Sequence, residues 1–336
     1  MAGGGLSGAA CSLILAVLCL AALSGLRATG TLVPEARRVG RAVGGSGLDL
    51  YALRDTEIFL ASSDLAGLLP GASAGQIEAW APGGGIMMPT QAFLVKWDGG
   101  AFLVDAGWGW RQNGLLLESL ALAGVAPGGI GAVLLTHLHA DHAGGLERGG
   151  RAVFPEAVLY AHQAELDTWI DGPGVARLPE IHRRWVPPAQ AALAPNRDRV
   201  RALEDSGGMG GSVPLPLPGA DMAAVFWPMP SHTPGHVLYG LTCGGAKDAG
   251  VVTLCLFTGD LMVLPEIQLP RPRVSVLFDM DPEEAGASRL ALLRDMACGP
   301  YRDKTLILGS HLPWPGAGRV EARGEGFIFR PVADPG

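Results

Sequence analysis

The hydrophobic residues of this chain fall into short runs with the length and composition of β-strands. Apolar and polar positions alternate over residues 48–53, and the apolar pattern continues at 57–60, as in strands with one buried face. The apolar runs 91–97 and 101–105 flank Asp98-Gly99-Gly100, and this arrangement predicts a β-hairpin. Further apolar runs predict buried strands at 132–135, 157–161, 223–227, 251–257 and 305–308.

Helices are predicted between several of these strands. Residues 113–124 have a leucine-rich face and a terminal glycine, and a second helix is expected to start near Ala164. Asp281 followed by Pro282 has the pattern of a helix N-terminus. Alternation of strands and helices is typical of the α/β class. The tract 171–219 is rich in Pro and Gly, and we expect it to be irregular and to carry a lid or binding loop.

Four carboxylates surround the start of the helix at Asp281. An N-cap role accounts for Asp281, and the positive end of the helix accounts for Glu283 and Glu284. Because three of the four are explained in this way, we leave all of them, Asp279 included, out of the candidate site.

The first apolar segment, residues 9–26, is uncharged and has about the length that spans a bilayer. It also resembles the core of a signal peptide, although no Lys or Arg precedes it. Arginines that follow it would hold the domain in the cytoplasm by the positive-inside rule. Export to the periplasm or medium, membrane anchoring through 9–26 and a misassigned start codon stay open as alternatives. The predicted units are an N-terminal segment at 1–29, a linker at 30–47 and a folded domain at 48–336.

Composition narrows the class of protein. A chain of 336 residues with 48% hydrophobic and 17% charged residues has enough apolar material for a large core. A net charge of −7 without a run of Lys or Arg argues against nucleic acid as a partner. The five cysteines do not have the spacing of a disulfide framework or a metal site.

The densest group of potential metal ligands follows the predicted strand 132–135. The sequence His137-Leu138-His139-Ala140-Asp141-His142 contains three imidazoles and a carboxylate, a mixture that suits zinc and its first-row neighbours. His137 and His139 are two residues apart on an extended segment and therefore point the same way, whereas Asp141 and His142 turn toward a second point. One short turn is thus predicted to serve two metal ions.

Three other predicted strands also end close to a candidate ligand, namely His232, Asp260 and His311. In layered α/β folds the strand ends share one edge, so these side chains are expected to converge. Five of the eight histidines belong to the resulting set, and none of the eight precedes His137. The predicted ligands are His137, His139 and His232 for one ion, Asp141, His142 and His311 for the other, and Asp260 as the bridge between them.

Two residues are predicted to support the ligands without binding metal. Asp105 ends the strand 101–105, where its carboxylate can orient a metal-bound histidine, and capping of a turn is the alternative role. His236 lies beyond the Pro234-Gly235 turn that follows His232, and we place it behind the ligands. His162 and His182 have no motif around them, and we expect both to be structural or solvent-facing.

Tryptophans on predicted loops near the ligands indicate an apolar substrate pocket, although packing explains each of them individually as well. The candidates are Trp108, Trp110, Trp169, Trp185 and Trp314. No cluster of Lys or Arg accompanies them, so the expected partner is a neutral small molecule rather than a phosphomonoester or a nucleic acid. Self-association into a homo-oligomer stays open.

These motifs, taken in order along residues 48–331, resemble those of the metallo-β-lactamase superfamily. The matching pieces are Leu103-Val104-Asp105-Ala106-Gly107, the 137–142 cluster, His232-Thr233-Pro234-Gly235-His236, Gly259-Asp260 and Ser310-His311. The resemblance implies an αββα four-layer sandwich, with a binuclear metal site at one edge of the sheets and the ligand roles given above. The residues 310–316 and the pair Asp260-Leu261 are most similar to the methyl parathion hydrolase group, which neighbours the acyl-homoserine lactonases.

One departure from the lactonase pattern follows Asp260, where Leu261, Met262 and Val263 stand and no tyrosine is present. This argues against a lactonase that uses a tyrosine to hold the substrate carbonyl. The expected enzyme is a hydrolase with two divalent ions, zinc being favoured. A bridging hydroxide attacks an ester, lactone or phosphotriester, and Asp141 or Asp260 passes the proton to the leaving group. The alternatives are iron-dependent redox or sulfur chemistry on the same scaffold, and a binding module that keeps metal for stability.

Overall fold

The computed structural model describes residues 32–41, 47–205, 210–218, 222–244, 251–299 and 301–333. The N-terminal apolar segment predicted at 9–26 lies outside these residues. Among the helices of the described part, none combines the length and the apolar character that a membrane span requires.

Within these residues, one sheet contains seven strands, β1 Ala36–Arg41, β2 Asp49–Ala61, β3 Gly85–Trp97, β4 Gly100–Val104, β5 Ala132–Leu134, β8 Val158–His162 and β9 Val200–Leu203. Strands β1 to β4 are antiparallel neighbours, and β4, β5, β8 and β9 run parallel. The predicted hairpin is confirmed, because β3 and β4 pair with Trp97 opposite Gly100. A short ribbon, β6 Glu147–Arg148 and β7 Arg151–Ala152, lies apart from this sheet.

The second sheet has seven strands in the described part of the chain, β10 Gly211–Val213, β11 Met222–Pro228, β12 Val237–Gly244, β13 Val251–Phe257, β14 Leu306–Leu308, β15 Ala317–Arg323 and β16 Gly326–Pro331. The pair β13 and β14 is parallel and the other pairs are antiparallel. The strands predicted at 223–227, 251–257 and 305–308 are β11, β13 and β14.

The two sheets face each other across a shared hydrophobic core. Phe93 and Phe102 from the first sheet and Phe226, Tyr239 and Phe257 from the second belong to this core. The rings of Phe93 and Phe257 meet with centroids 5.6 Å apart. Burial of large apolar side chains from both inner faces holds the sheets together.

Helices cover the outer faces of both sheets. They are α1 Ser62–Leu68, α2 Ala74–Trp80, α3 Leu116–Leu122, α4 Ala140–Ala143, α5 Gln163–Trp169, α6 Gly172–Arg177, α7 Glu180–Arg183, α8 Val186–Leu193, α9 Pro265–Gln268 and α10 Pro282–Cys298. Helices α1 to α3, α5 and α8 pack on the first sheet, and α10 packs on the second through Leu293 and Met296. Short 3₁₀ turns lie at Trp110–Gln112, Pro127–Gly129, Gly144–Leu146, Ala194–Arg199 and Gly259–Leu261. The arrangement is the αββα sandwich that the resemblance implied.

Two predictions about the chain organisation are corrected by the structure. Part of the predicted linker 30–47 is strand β1, which pairs with β2 from Ala36 opposite Leu53 onward. An edge strand held by backbone hydrogen bonds needs no alternation of apolar and polar residues, so the hydrophobic pattern could not predict β1. The described part of the tract 171–219 is mostly regular, since α6 to α8, β9 and β10 lie in it. Four of its prolines, Pro173, Pro187, Pro188 and Pro195, lie in the first turns of helices or 3₁₀ helices, where the missing N–H costs nothing.

Candidate metal centre

The candidate ligands lie where strands of both sheets end. His137 and His139 follow β5 in extended backbone, and His139 is the residue before α4. Asp141 and His142 lie in the single turn of that short helix. His232, Asp260 and His311 follow β11, β13 and β14 of the second sheet. The site therefore sits at the common edge of the two sheets.

The structure brings all seven predicted ligands together in two groups. Within each group the candidate ligand atoms lie within 4.8 Å of one another. We call His137, His139 and His232 the three-histidine half, and Asp141, His142 and His311 the Asp141 half, and Asp260 belongs to both. All seven are buried or nearly so.

Asp260 lies between the halves with one oxygen toward each. Its Oδ1 is 2.9 Å from Nε2 of His142 and 3.2 Å from Nε2 of His311. Its Oδ2 is 3.3 Å from Nε2 of His232 and 3.8 Å from Nε2 of His137. A carboxylate in this position can bind two metal ions at once.

The buried nitrogens fit divalent metal ions. Nε2 of His137 has no hydrogen-bond partner among the described residues, and Nε2 of His232 lies only 3.1 Å from Nδ1 of His139. Buried polar atoms normally have partners, and imidazole nitrogens converging with carboxylate oxygens are the donors that zinc and related ions take. The donor set thus fits a metal site.

The halves differ in their electrostatics. Burial, together with the neighbouring His142, holds the pKa of His137 well below its usual range. For His311, burial lowers the pKa, but the adjacent carboxylates Asp260 and Asp141 outweigh it and raise the pKa to about 10. The three-histidine half is therefore poor in negative charge, and the Asp141 half is rich in it.

Asp105 and His236 lie behind the ligands, at the places where the sequence predicted support. Asp105 directly follows β4 with a φ of 61°, and its Oδ2 accepts a hydrogen bond of 2.8 Å from Nδ1 of His142. Its Oδ1 accepts another from the backbone N–H of Thr136 at 2.8 Å. The ring of His236 lies 5.4 Å from that of His137, and its Nε2 accepts a hydrogen bond from the backbone N–H of Asp260 at 3.1 Å.

Asp279, which we left out together with the three carboxylates explained by the helix start, is part of the site. Its Oδ1 accepts a hydrogen bond of 2.8 Å from Nδ1 of His232, and its Oδ2 accepts one from Val276 N at 3.0 Å. The fully buried guanidinium of Arg289, on α10, lies 3.5 Å from the same carboxylate. Each half therefore has one histidine oriented by an aspartate. No sequence motif marks Asp279, because its contact with His232 spans 47 residues.

The Asp141 half has a second support that the sequence did not reveal. Nε2 of Gln91, on β3, donates hydrogen bonds of 2.8 Å to the carbonyl oxygens of Gly309 and Leu312, on either side of His311. Nδ1 of His311 donates to the carbonyl of Pro89 at 2.7 Å. Strand β3 thus fixes both the loop and the ring of His311.

Asp55 is a further buried carboxylate that was not predicted. It accepts hydrogen bonds from the backbone N–H groups of Trp108 at 2.7 Å and Leu116 at 3.1 Å. Burial raises its pKa to about 7. Asp55 thereby holds the loop that carries Trp108.

A cavity opens above the cluster and has a mostly apolar wall. Its apolar lining residues are Leu68, Met88, Trp108, Trp185, Val263, Leu264, Val276 and Phe278. Its polar lining residues are His139, Asp141, His232 and Asp260, all of them candidate ligands. Trp185 also stacks near His139, with ring centroids 4.7 Å apart.

The pocket prediction is wrong for three of the five tryptophans. Trp169 is fully buried beneath the site, with its ring 5.4 Å from that of His139. Trp110 is 44% exposed and lines a different depression. Trp314 donates to Glu35 at 2.9 Å and lies under the guanidinium of Arg54, away from the cavity. Position on a loop near a ligand did not determine which way each ring points.

Sequence relatives support the same class of protein. The family model of the metallo-beta-lactamase superfamily matches residues 86–311. Human (Homo sapiens) metallo-beta-lactamase domain-containing protein 1 is 29% identical over 231 residues, 68% of this chain and 62% of that protein. The Rattus norvegicus protein is 47% identical over 60 residues, 18% of this chain and 22% of its own length. Ribonuclease Z of Mycolicibacterium paratuberculosis is 47% identical over 53 residues, 16% of this chain and 17% of its own length. The chain thus matches less than two thirds of each of these relatives.

Solved structures are similar over nearly the whole chain. The hydrolase AbOPH, of the beta-lactamase superfamily, has a TM-score of 0.71 at 25% identity and covers 90% of this chain and 99% of its own. AidC, a dizinc quorum-quenching lactonase in complex with the product N-hexanoyl-L-homoserine, has a TM-score of 0.71 at 25% identity and covers 89% and 98%.

Fold, cluster and relatives together define a hydrolase with a His/Asp metal site at the edge of an αββα sandwich. The family model covers well over half of the chain. The chain belongs to the metallo-β-lactamase superfamily, and in its overall structure it resembles the lactonase-like members.

Proposed function

We propose that this protein is a binuclear hydrolase in which a hydroxide bridging two metal ions, zinc being favoured, attacks the ester, lactone or phosphotriester bond of a small neutral molecule. The observation that carries the proposal is the position of Asp260. Its two carboxylate oxygens are directed to different halves, so two ions bound there would share one carboxylate and lie close together. A purely structural zinc site would normally be closed by four ligands, whereas seven converge here.

Two divalent ions, when bound, supply a water acidic enough to be deprotonated near neutral pH and a Lewis acid for the acceptor oxygen. Asp141 and Asp260 offset only part of the ions' positive charge, so the centre stays favourable for an oxyanion. Both carboxylates line the cavity, but Asp141 is 9% exposed and Asp260 only 3%. Asp141 is therefore the better placed of the two to take a proton from the nucleophile and deliver it to the leaving group.

The cavity wall supports neutral substrates. Among the described residues that line it there is no Lys, Arg or Tyr, so phosphomonoesters and RNA would find no cationic clamp. Leu261 and Met262 are buried and apolar where a lactonase of the tyrosine type would hold the substrate carbonyl. Substrate binding would then depend on apolar contact with side chains such as Trp108, Trp185 and Phe278. Esters with good leaving groups, lactones and phosphotriesters fit this description.

The test combines metal content and a substrate panel. Protein purified without chelator should contain about two equivalents of divalent metal by elemental analysis, because the ligands form two groups. The metal-loaded protein should turn over an aryl ester, an aliphatic lactone or a phosphotriester with higher kcat/KM than a β-lactam or an RNA substrate. A value of one equivalent or none that added metal does not change would contradict the binuclear mechanism. A β-lactam or RNA that surpasses the other substrates would contradict the substrate class.

A further inference from the structure

Glu165 connects two ligand-bearing loops that are far apart in the sequence. It lies on α5 and is fully buried. Its Oε2 accepts a hydrogen bond of 2.8 Å from the backbone N–H of Leu138, the residue between His137 and His139. Its Oε1 accepts one of 2.9 Å from the backbone N–H of Gly235, three residues after His232. One carboxylate thus joins the segments that carry all three histidines of the three-histidine half.

A third donor completes the surroundings of this carboxylate. Nε1 of Trp169 donates to Oε2 at 2.8 Å. Because the ring of Trp169 lies 5.4 Å from that of His139, Glu165 also fixes the ring that packs beneath this ligand. The three donors are shared between two acceptor oxygens, and a glutamine side chain has only one.

We propose that Glu165 is a positioning residue that sets His139 and His232 relative to each other and thereby controls metal binding in the three-histidine half alone. This role rests on the proposed binuclear site. Within that site, the Glu165 carboxylate would fix the relative position of the ligands in the three-histidine half. The contact is a close one, since a Cβ placed on Gly235 would lie 2.4 Å from the backbone nitrogen of Glu165. The turn that contains Gly235 is therefore packed directly on the start of α5.

The Asp141 half does not depend on Glu165. Its His142 is held by Asp105, and the loop around His311 is held by Gln91. The hydrogen bonds of Gln91 reach only Gly309, Leu312 and Ser310 of that loop. Loss of Glu165 should consequently weaken one half and leave the other intact.

The experiment compares Glu165→Gln with Gln91→Met, and Glu180→Gln, at an exposed carboxylate on α7, is the matched control. Hydrogen–deuterium exchange of the metal-free full chain is followed by mass spectrometry, which needs neither metal nor activity. In Glu165→Gln, exchange at 137–139 and 232–236 should rise roughly tenfold, with no change at 309–312. Gln91→Met should show the opposite pattern, and Glu180→Gln should match the wild type.

Metal content gives the second measurement. Zinc titration of Glu165→Gln should show one ion bound as in the wild type and the other with affinity reduced on the order of 10–100-fold. Gly235→Ala, which pushes the turn off α5 without altering any charge, should reproduce this result and carries the test if Glu165→Gln does not fold.

Two results would overturn the role of Glu165. One is wild-type exchange at 137–139 and 232–236 with both ions retained in Glu165→Gln and Gly235→Ala. The other is an equal rise of exchange in both halves, which would make Glu165 a general packing residue. Wild-type protein that binds fewer than two ions would instead contradict the proposed function, while a selective rise of exchange would still show that Glu165 ties the two loops.

Discussion

The two halves of the metal centre have similar outlines but are built differently. The three-histidine half consists of imidazoles that share Asp260, and buried side chains of α5 and the loop before α10 support it. The Asp141 half has a carboxylate of its own, and strands β3 and β4 of the first sheet support it. Helices and loops open more readily than central strands, so the half that depends on Glu165 and Asp279 should be the more easily perturbed. Similar ligand sets therefore do not make equivalent sites.

The largest effect is expected from the ligands themselves. His232→Ala should lose one metal ion and nearly all activity, because it removes a first ligand of the three-histidine half. His236→Ala, four residues further along the chain, should keep both ions. Its activity should fall on the order of 10–100-fold, as is typical when a residue that supports a metal ligand is removed. Elemental analysis and kcat/KM of the two variants check this ranking. The reverse order would show that His236 rather than His232 binds metal.

An intermediate effect is expected from the aspartates that orient one histidine in each half. Asp279→Ala should weaken zinc binding on the order of 10–100-fold in the three-histidine half, because His232 loses the acceptor of its Nδ1–H. Asp105→Ala should weaken the Asp141 half through His142. Zinc titration with a chelator competitor resolves the two steps. Equal weakening of both zinc-binding steps by each substitution would contradict the separate support of the two halves.

The smallest effect is expected on the stability of the folded chain, from Asp55, which holds the loop that carries Trp108 of the cavity wall. The pKa of Asp55 is raised to about 7 by burial, above its value in the unfolded chain, so the folded state binds the extra proton between about pH 4 and 7. Stability from this group is complete below that range and is lost as pH rises through it. Asp55→Asn should cost about 1–3 kcal/mol at pH 4.5, through one lost hydrogen bond, and this cost should shrink by about pH 7.5. Urea denaturation across this range gives the difference, and a constant gap between variant and wild type would contradict the assignment.

The sequence was informative where a ligand directly follows an apolar run. Strand ends in a layered fold meet at one edge, so His137, His232, Asp260 and His311 could be placed together without coordinates. The same reasoning could not find Glu165 or Gln91. Their hydrogen bonds to ligand loops span 70 residues for Glu165 with Gly235 and 218 for Gln91 with Gly309. Such contacts depend on how helices and strands pack, which no local spacing encodes.

Side-chain direction set another limit. Trp108 lies on the loop after β4, and Trp169 ends the short helix after β8. Trp108 lines the cavity, whereas Trp169 is buried beneath the ligands. Asp279 was left out together with the carboxylates of the helix start, although it accepts a hydrogen bond from His232. In the tract 171–219, prolines in the first turns of helices were interpreted as loop residues. In each case tertiary packing, which the local sequence does not encode, decided where the side chain lies.

The origin of the ligands has a consequence for the supply of metal in the cell. Each half takes residues from both sheets, His137 and His232 in one and His142 and His311 in the other. An ion bound in either half would therefore act as a cross-link between the two sheets and would stabilise the folded domain by mass action. Scarcity of the metal would then lower the amount of folded protein that survives proteolysis, in addition to its activity.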